Sequence, residues 1–254
     1  DNTASQSVVS RPSDTSYNEG MFDTWDLSAM NTMQYHSPAD LLPFGIVGKV
    51  AYAPNTTTAA NSFKAAGAAN NRTTTASTAA FNTTAAPFGQ TAAMGRSAYH
   101  YQVKANPYDG LNVGADYVDY QDIADSASSG QEPESGSAFA TYAYGPATFG
   151  YSQSWVAFAI ASQAGDVTES VEAKKMSVSY LVNDNLSISY ERENSNPDNA
   201  TAATLNYTMK ATGVQAAYTM GGMTLAIARN TFDNARYKKD NDVTDTVFTV
   251  AMAF

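Results

Sequence analysis

Cysteine is absent from the 254 residues. That excludes a disulfide framework, a thiolate metal site and a cysteine nucleophile, and it suits a chain that crosses an oxidising compartment unfolded. Long apolar runs are missing too. The longest, Trp155–Ala161, has seven residues, although hydrophobic residues make up 43 % of the chain. A membrane helix needs about 20 consecutive apolar residues, so helical spanning is excluded. Positive charge is scarce: 14 Lys and Arg stand against 24 Asp and Glu, a net charge of −10. With no basic patch to displace counterions, nucleic acid is not expected as a partner. Asp1 opens on polar, turn-forming residues with no secretory leader. The expectation is a mature chain, or one that begins partway through a longer protein.

What is present is a period of two. Phe254, Met252, Val250 and Phe248 alternate with Ala253, Ala251, Thr249 and Val247. Large apolar groups on one side and small or polar ones on the other describe a strand with different solvents on its two faces. Similar segments lie near 28–37, 45–53, 97–106, 110–120, 137–145, 147–158, 173–183, 186–193, 208–220, 223–232 and 244–254. Their lengths suit a tilted membrane strand of roughly 9–11 residues. A closed antiparallel barrel is the one non-helical structure that satisfies its backbone hydrogen bonds in lipid. Because only every second residue faces lipid, a mean hydropathy of −0.33 is no objection. Sixteen tyrosines against two tryptophans fit interfacial girdles, with Tyr180, Tyr190 and Tyr218 toward strand ends.

Connections alternate between short and long. The short ones are 106–110, 145–146, 183–185 and 221–222, with 37–44 slightly longer; the long, polar ones are 54–96, 121–136, 159–172, 194–207 and 233–243. Outer-membrane barrels have short periplasmic turns and longer external loops. Placing Phe254 on the periplasmic side then puts every long connection outside. The facing pattern holds across most segments: Met176, Val178 and Tyr180 against Ser177 and Ser179, and Ile188 and Tyr190 against Ser189 and Glu191. The second face is too hydrophilic for a packed core, so the barrel should enclose water. Arg229 breaks the pattern by pointing toward lipid, and a bulge or a rim position is needed to explain it. The Thr/Ala/Asn-rich stretch 54–96 cannot fold alone and reads as a solvated external loop.

The segment Asn31–Asn55, N-T-M-Q-Y-H-S-P followed by F-G-I-V-G-K-V-A-Y-A-P-N, resembles the strand–turn–strand after the constriction loop in Gram-negative general porins. Val214–Leu225 and the ending V-F-T-V-A-M-A-F are similar to that family's last strands. The resemblance implies a trimeric 16-stranded barrel, of which the eleven segments here would be the carboxy-terminal portion. Residues 1–27 would then be a remnant of the constriction loop, and 28–254 the barrel wall. It further implies a channel for passive diffusion, with acids Glu19, Asp23 and Asp26 (and Asp14) facing wall residues Lys49 and Lys104, and more weakly Arg96. His100 and Gln102 share that inward face. Phe254 would be read by the outer-membrane assembly machinery. The resemblance also implies homotrimers, membrane lipid around the barrel, and small hydrophilic solutes and ions inside.

Three other readings compete with this one. A non-conducting anchor or adhesin would use the external loops, 54–96 above all. A secreted sandwich or solenoid would carry charge, not Leu, Val, Met and Tyr, on its outer face. An enzyme has only His36 and His100 as candidate bases, and neither sits beside a recognisable nucleophile. No catalytic residue and no cofactor are expected. Calcium at Asp233, Asp240 and Asp242 would suit oxygen ligands, yet no D-x-D-x-D-G spacing occurs and a solvated acidic loop is favoured.

Overall fold

The computed structural model describes residues 27, 31–38, 41–54, 97–121, 129–131, 134–157, 160–161, 168–199, 207–237 and 239–252. Their strands are β1 Met33–His36, β2 Val47–Ala53, β3 Ser97–Tyr108, β4 Leu111–Gln121, β5 Ser129–Gln131, β6 Glu134–Tyr144 and β7 Ala147–Ala157. There follow β8 Ile160–Ala161, β9 Thr168–Asn183, β10 Leu186–Asn199, β11 Met209–Met220, β12 Met223–Asp233 and β13 Val243–Met252. Eleven of them form one up-and-down antiparallel sheet in chain order, β1-β2-β3-β4-β6-β7-β9-β10-β11-β12-β13. Among the described residues no pairing joins β1 to β13, so each has one unpaired edge.

All eleven expected strands form, with several boundaries corrected, most of all in β1, β9 and β10. β1 is shorter than 28–37, and among the described residues only Met33–His36 pair with β2. β9 and β10 run past their expected loop-side ends, to Thr168 and Asn199. The polar residues from Asn194 to Asn199, expected in a loop, are carried by the strand, which continues the alternation that sends Glu191 and Glu193 to one face and Arg192 to the other. Pro197 is tolerated there because β10 pairs with β11 only as far as Ser195, leaving its missing donor on an unpaired side. The connections 121–136 and 159–172 are not wholly irregular, since β5 and β8 pair with each other as a separate small sheet.

Tight turns close the short connections. Asn183 Oδ1 accepts from the backbone N–H groups of Asn185 and Leu186, each at 2.9 Å, which fixes the β9–β10 hairpin. Gly110 has φ +78°, and a Cβ there would lie 2.4 Å from the Ala143 carbonyl oxygen, so only glycine fits. Between β1 and β2, Ser37 exchanges bonds with Gly48: its Oγ accepts from the Gly48 N–H and its own N–H donates to the Gly48 carbonyl, both at 2.8 Å.

The sheet has two unlike faces. Val50, Tyr101, Val103, Phe149, Tyr151, Met176, Ile188, Val214, Leu225, Ile227, Phe248 and Val250 all project outward and are exposed. Their cross-strand partners in register lie on the same side. Tyr180, Tyr190 and Tyr218 belong to this outer face as expected, although Tyr190 sits mid-strand. The other face carries Ser, Ala and acidic residues, and between β9 and β12 most of them are buried. At the loop ends of the strands, Ala53, Ala98, Tyr120, Val156, Val171, Met209 and Phe232 join one buried apolar cluster. The β12–β13 connection contributes to it: Tyr237 folds back under the sheet, and its hydroxyl bonds Ser195 Oγ at 2.6 Å. The inner face is therefore not uniform, since a buried apolar cluster gathers at its loop end. Small serines and alanines let the concave side draw close, and the loop end is closed by apolar side chains.

Arg229 needs no bulge. It pairs with Val214 and Thr246 without a register shift and is exposed on the outer face. It lies four residues from the loop-side end of β12, one outward position beyond the last apolar residue of that strand's outer face, Ile227.

Candidate functional site

Strand alternation and register build the site. His36, Lys49, Gln102, Asp116 and Ser137 are successive cross-strand partners on β1, β2, β3, β4 and β6. Partners in register share a face, so this is one transverse row of polar side chains along the inner wall. His100 and Lys104 flank Gln102 two residues away on either side of β3, and therefore point the same way. Lys49 and Gln102 are half-buried, while Lys104, near the turn end, is exposed. The inner wall is thus open to water at its turn end and closed at its loop end.

The four wall residues expected from sequence, Lys49, His100, Gln102 and Lys104, are brought together. Glu19, Asp23 and Asp26, like Asp14, Arg96 and Phe254, lie outside the described residues. Sequence reasoning missed Asp116 and Ser137, although the alternation of β4 with outward Val113 and Tyr117 places Asp116 inward. Asp116 joins the row tightly. Ser137 Oγ donates to its Oδ1, and His100 Nε2 stands 3.7 Å from its Oδ2. His36 Nε2 lies 3.2 Å from Gln34 Oε1.

Serine, histidine and aspartate together invite comparison with a nucleophilic triad, but the order is wrong. A general-base imidazole must contact the hydroxyl that it deprotonates. Here the carboxylate stands between them and accepts from the serine. The arrangement holds polar groups in place along a wall and does not activate Ser137.

Across the sheet, a second set of inward charges lies on β9 and β10. Lys175 Nζ is 3.4 Å from Glu193 Oε2, and both side chains are buried; Glu191, one inward position nearer the turns, is also buried. Glu191 was placed inward by sequence; Lys175 and Glu193 were not, because they fell at the edge of an expected loop. In the last connection, Asp242 Oδ1 accepts from the Asn234 N–H at 3.2 Å, and Asp233 and Asp240 are exposed. Among the described residues no group of three His, Asp or Glu side chains is placed to hold a metal ion.

No family model and no curated protein matches the sequence. Solved structures do match. An anion-selective porin from Comamonas acidovorans superposes with TM-score 0.57 at 10 % identity, over 88 % of this chain and 59 % of that one. Salmonella typhi OmpF, in a complex with daunomycin, superposes with TM-score 0.55 at 12 % identity, over 86 % of this chain and 60 % of that one. The fold is that of outer-membrane porins. The chain spans about three-fifths of the length of these two porins. The agreement lies in topology, since identities this low carry over no residue role.

Proposed function

We propose that this chain forms the wall of a water-filled channel in a bacterial outer membrane, through which small hydrophilic solutes and ions diffuse without a chemical step. The observation that carries the reading is the two-faced sheet. A band of exposed Val, Leu, Ile, Met and Tyr covers one side of eleven strands, and Lys49, Gln102, Lys104 and Asp116 lie on the other. Exposed apolar surface on this scale is stable against lipid and not against water. In this reading residues 28–254 are the barrel wall and 1–27 line its constriction. Glu19, Asp23 and Asp26 face Lys49 and Lys104, and the field between them orients polar solutes and sets ion preference. Homotrimers and delivery through a signal ending at Phe254 belong to the same reading.

The test is conductance. Purified protein added to a planar bilayer should give stepwise current increments whose ion preference changes with Lys49→Glu and Lys104→Glu. A silent bilayer containing folded protein overturns the proposal. That outcome would favour a barrel acting as an anchor or adhesin. One observation supports this second reading: the buried apolar cluster at the loop end of the inner face narrows the route for solutes.

A further inference from the structure

Arg229 was the one residue that the facing pattern did not absorb, and it is not alone. Lys174, Arg192 and Lys210 also project from the outer face, on β9, β10 and β11, and all four side chains are exposed. Lys174 and Lys210 are the two register partners of Asn194, one on each side of β10. Neighbouring strands are about 4.8 Å apart, so the two lysines stand roughly 10 Å from each other. Arg192 lies between them, two residues closer to the turns and opposite Met176 and Thr212. Arg229 continues the patch on β12, opposite Val214. Four of the 14 basic residues of an acidic chain are therefore gathered on four adjacent strands.

Among the described residues none of the four has an ion-pair partner. The acids nearest on the same face are Asp233, opposite Lys210, and the exposed Glu172 and Asp198 farther along β9 and β10 toward the loops; Asp119 and Glu134 lie on this face too, but on β4 and β6. On the turn side the patch borders the apolar band directly, at Met176, Tyr190, Val214 and Ile227. Long basic side chains at such a border lay their stems on apolar surface and keep their charges at headgroup depth. A solute in the lumen cannot reach this face, and a water-facing rim gains nothing by gathering like charges. From this juxtaposition of four exposed cations with the loop-side edge of the lipid-facing band, we infer a binding site for the phosphate groups of membrane lipids.

The inference rests on the membrane reading, and one experiment separates the two. The chain is refolded into phosphatidylcholine vesicles that contain a minor fraction of brominated phosphatidic acid or brominated phosphatidylcholine. Quenching of tryptophan emission reports the lipid beside the protein. Trp155, the register partner of Glu172, sits next to the patch. Brominated phosphatidic acid should quench at a mole fraction about fivefold lower than the choline lipid, the effect of roughly one favourable headgroup charge contact. The quadruple variant Lys174→Gln, Arg192→Gln, Lys210→Gln, Arg229→Gln should lose that preference. Lys174→Arg with Lys210→Arg should keep it, and millimolar inorganic phosphate should not displace the lipid. Equal quenching by both lipids in the unmodified chain, or a preference that survives in the quadruple variant, overturns the site. Displacement by inorganic phosphate also overturns it as a lipid site. A chain whose tryptophans neither lipid quenches has not inserted, and then the membrane reading fails with it.

Discussion

The inner wall between β2 and β4 is half open to water, whereas the same wall between β9 and β12 is closed. The open part carries Lys49, Gln102, Lys104 and Asp116, and its lysines have no carboxylate partner among the described residues. The closed part carries Lys175 and Glu193, and there the charges meet at 3.4 Å. The difference follows from desolvation. A charge removed from water must be paired or it destabilises the fold, while one that keeps its water is free to act on whatever passes. Burial therefore separates the structural charges of this sheet from the ones available to a solute.

That comparison breaks if the closed charges can be removed cheaply. Lys175→Ala should cost about 3–5 kcal/mol, because it removes the cation 3.4 Å from the buried Glu193 carboxylate. Denaturant unfolding of the detergent-folded protein measures the loss. The next effect is one of packing on the outer face. A Cβ on Gly136 would come within 2.3 Å of the Trp155 ring, so Gly136→Ala must expel the indole. The expected loss is about 1–3 kcal/mol, accompanied by a shift in tryptophan emission that marks the ring's displacement. At the closed loop end, Tyr237→Phe removes the buried bond to Ser195. It should cost about 1 kcal/mol in the same unfolding measurement. The smallest effect belongs to the open wall. Lys49→Gln and Lys104→Gln should change stability by less than about 0.5 kcal/mol, yet shift the reversal potential of the channel toward cations. An open-wall variant as destabilising as Lys175→Ala would remove the distinction.

Most of this sheet was legible in the sequence because a period of two is a strong signal wherever one face meets lipid. Leu225, Ile227 and Phe248 against Ala226, Ala228 and Val247 place β12 and β13 without help from propensity. Legibility fell where the strands leave that solvent. Beyond Tyr190 the outer face turns to Arg192 and Asn194, and composition there looks the same as a loop's. The ladder nevertheless continues to Asn199 because β9 still pairs with it. β5 and β8 were too short to show any period. At the site, the inward side of His100, Gln102 and Lys104 followed from alternation, whereas Lys49 came from the resemblance to porins. Asp116 and Ser137 did not stand out, because their importance lies in register across three strands, which no local pattern encodes. The closed loop end was also hidden, since Met209, Phe232 and Tyr237 come together only when the sheet curves.

Which face of each strand meets water is directly measurable, because the chain has no native cysteine. Single replacements Lys49→Cys, Val50→Cys, Val103→Cys and Lys104→Cys put thiols at adjacent positions that face opposite ways on β2 and β3. In lipid vesicles, a charged water-soluble thiol reagent should modify the two lysine positions quickly and the two valine positions far more slowly. Equal labelling at Val103→Cys and Lys104→Cys would contradict the two-solvent sheet, and with it the channel.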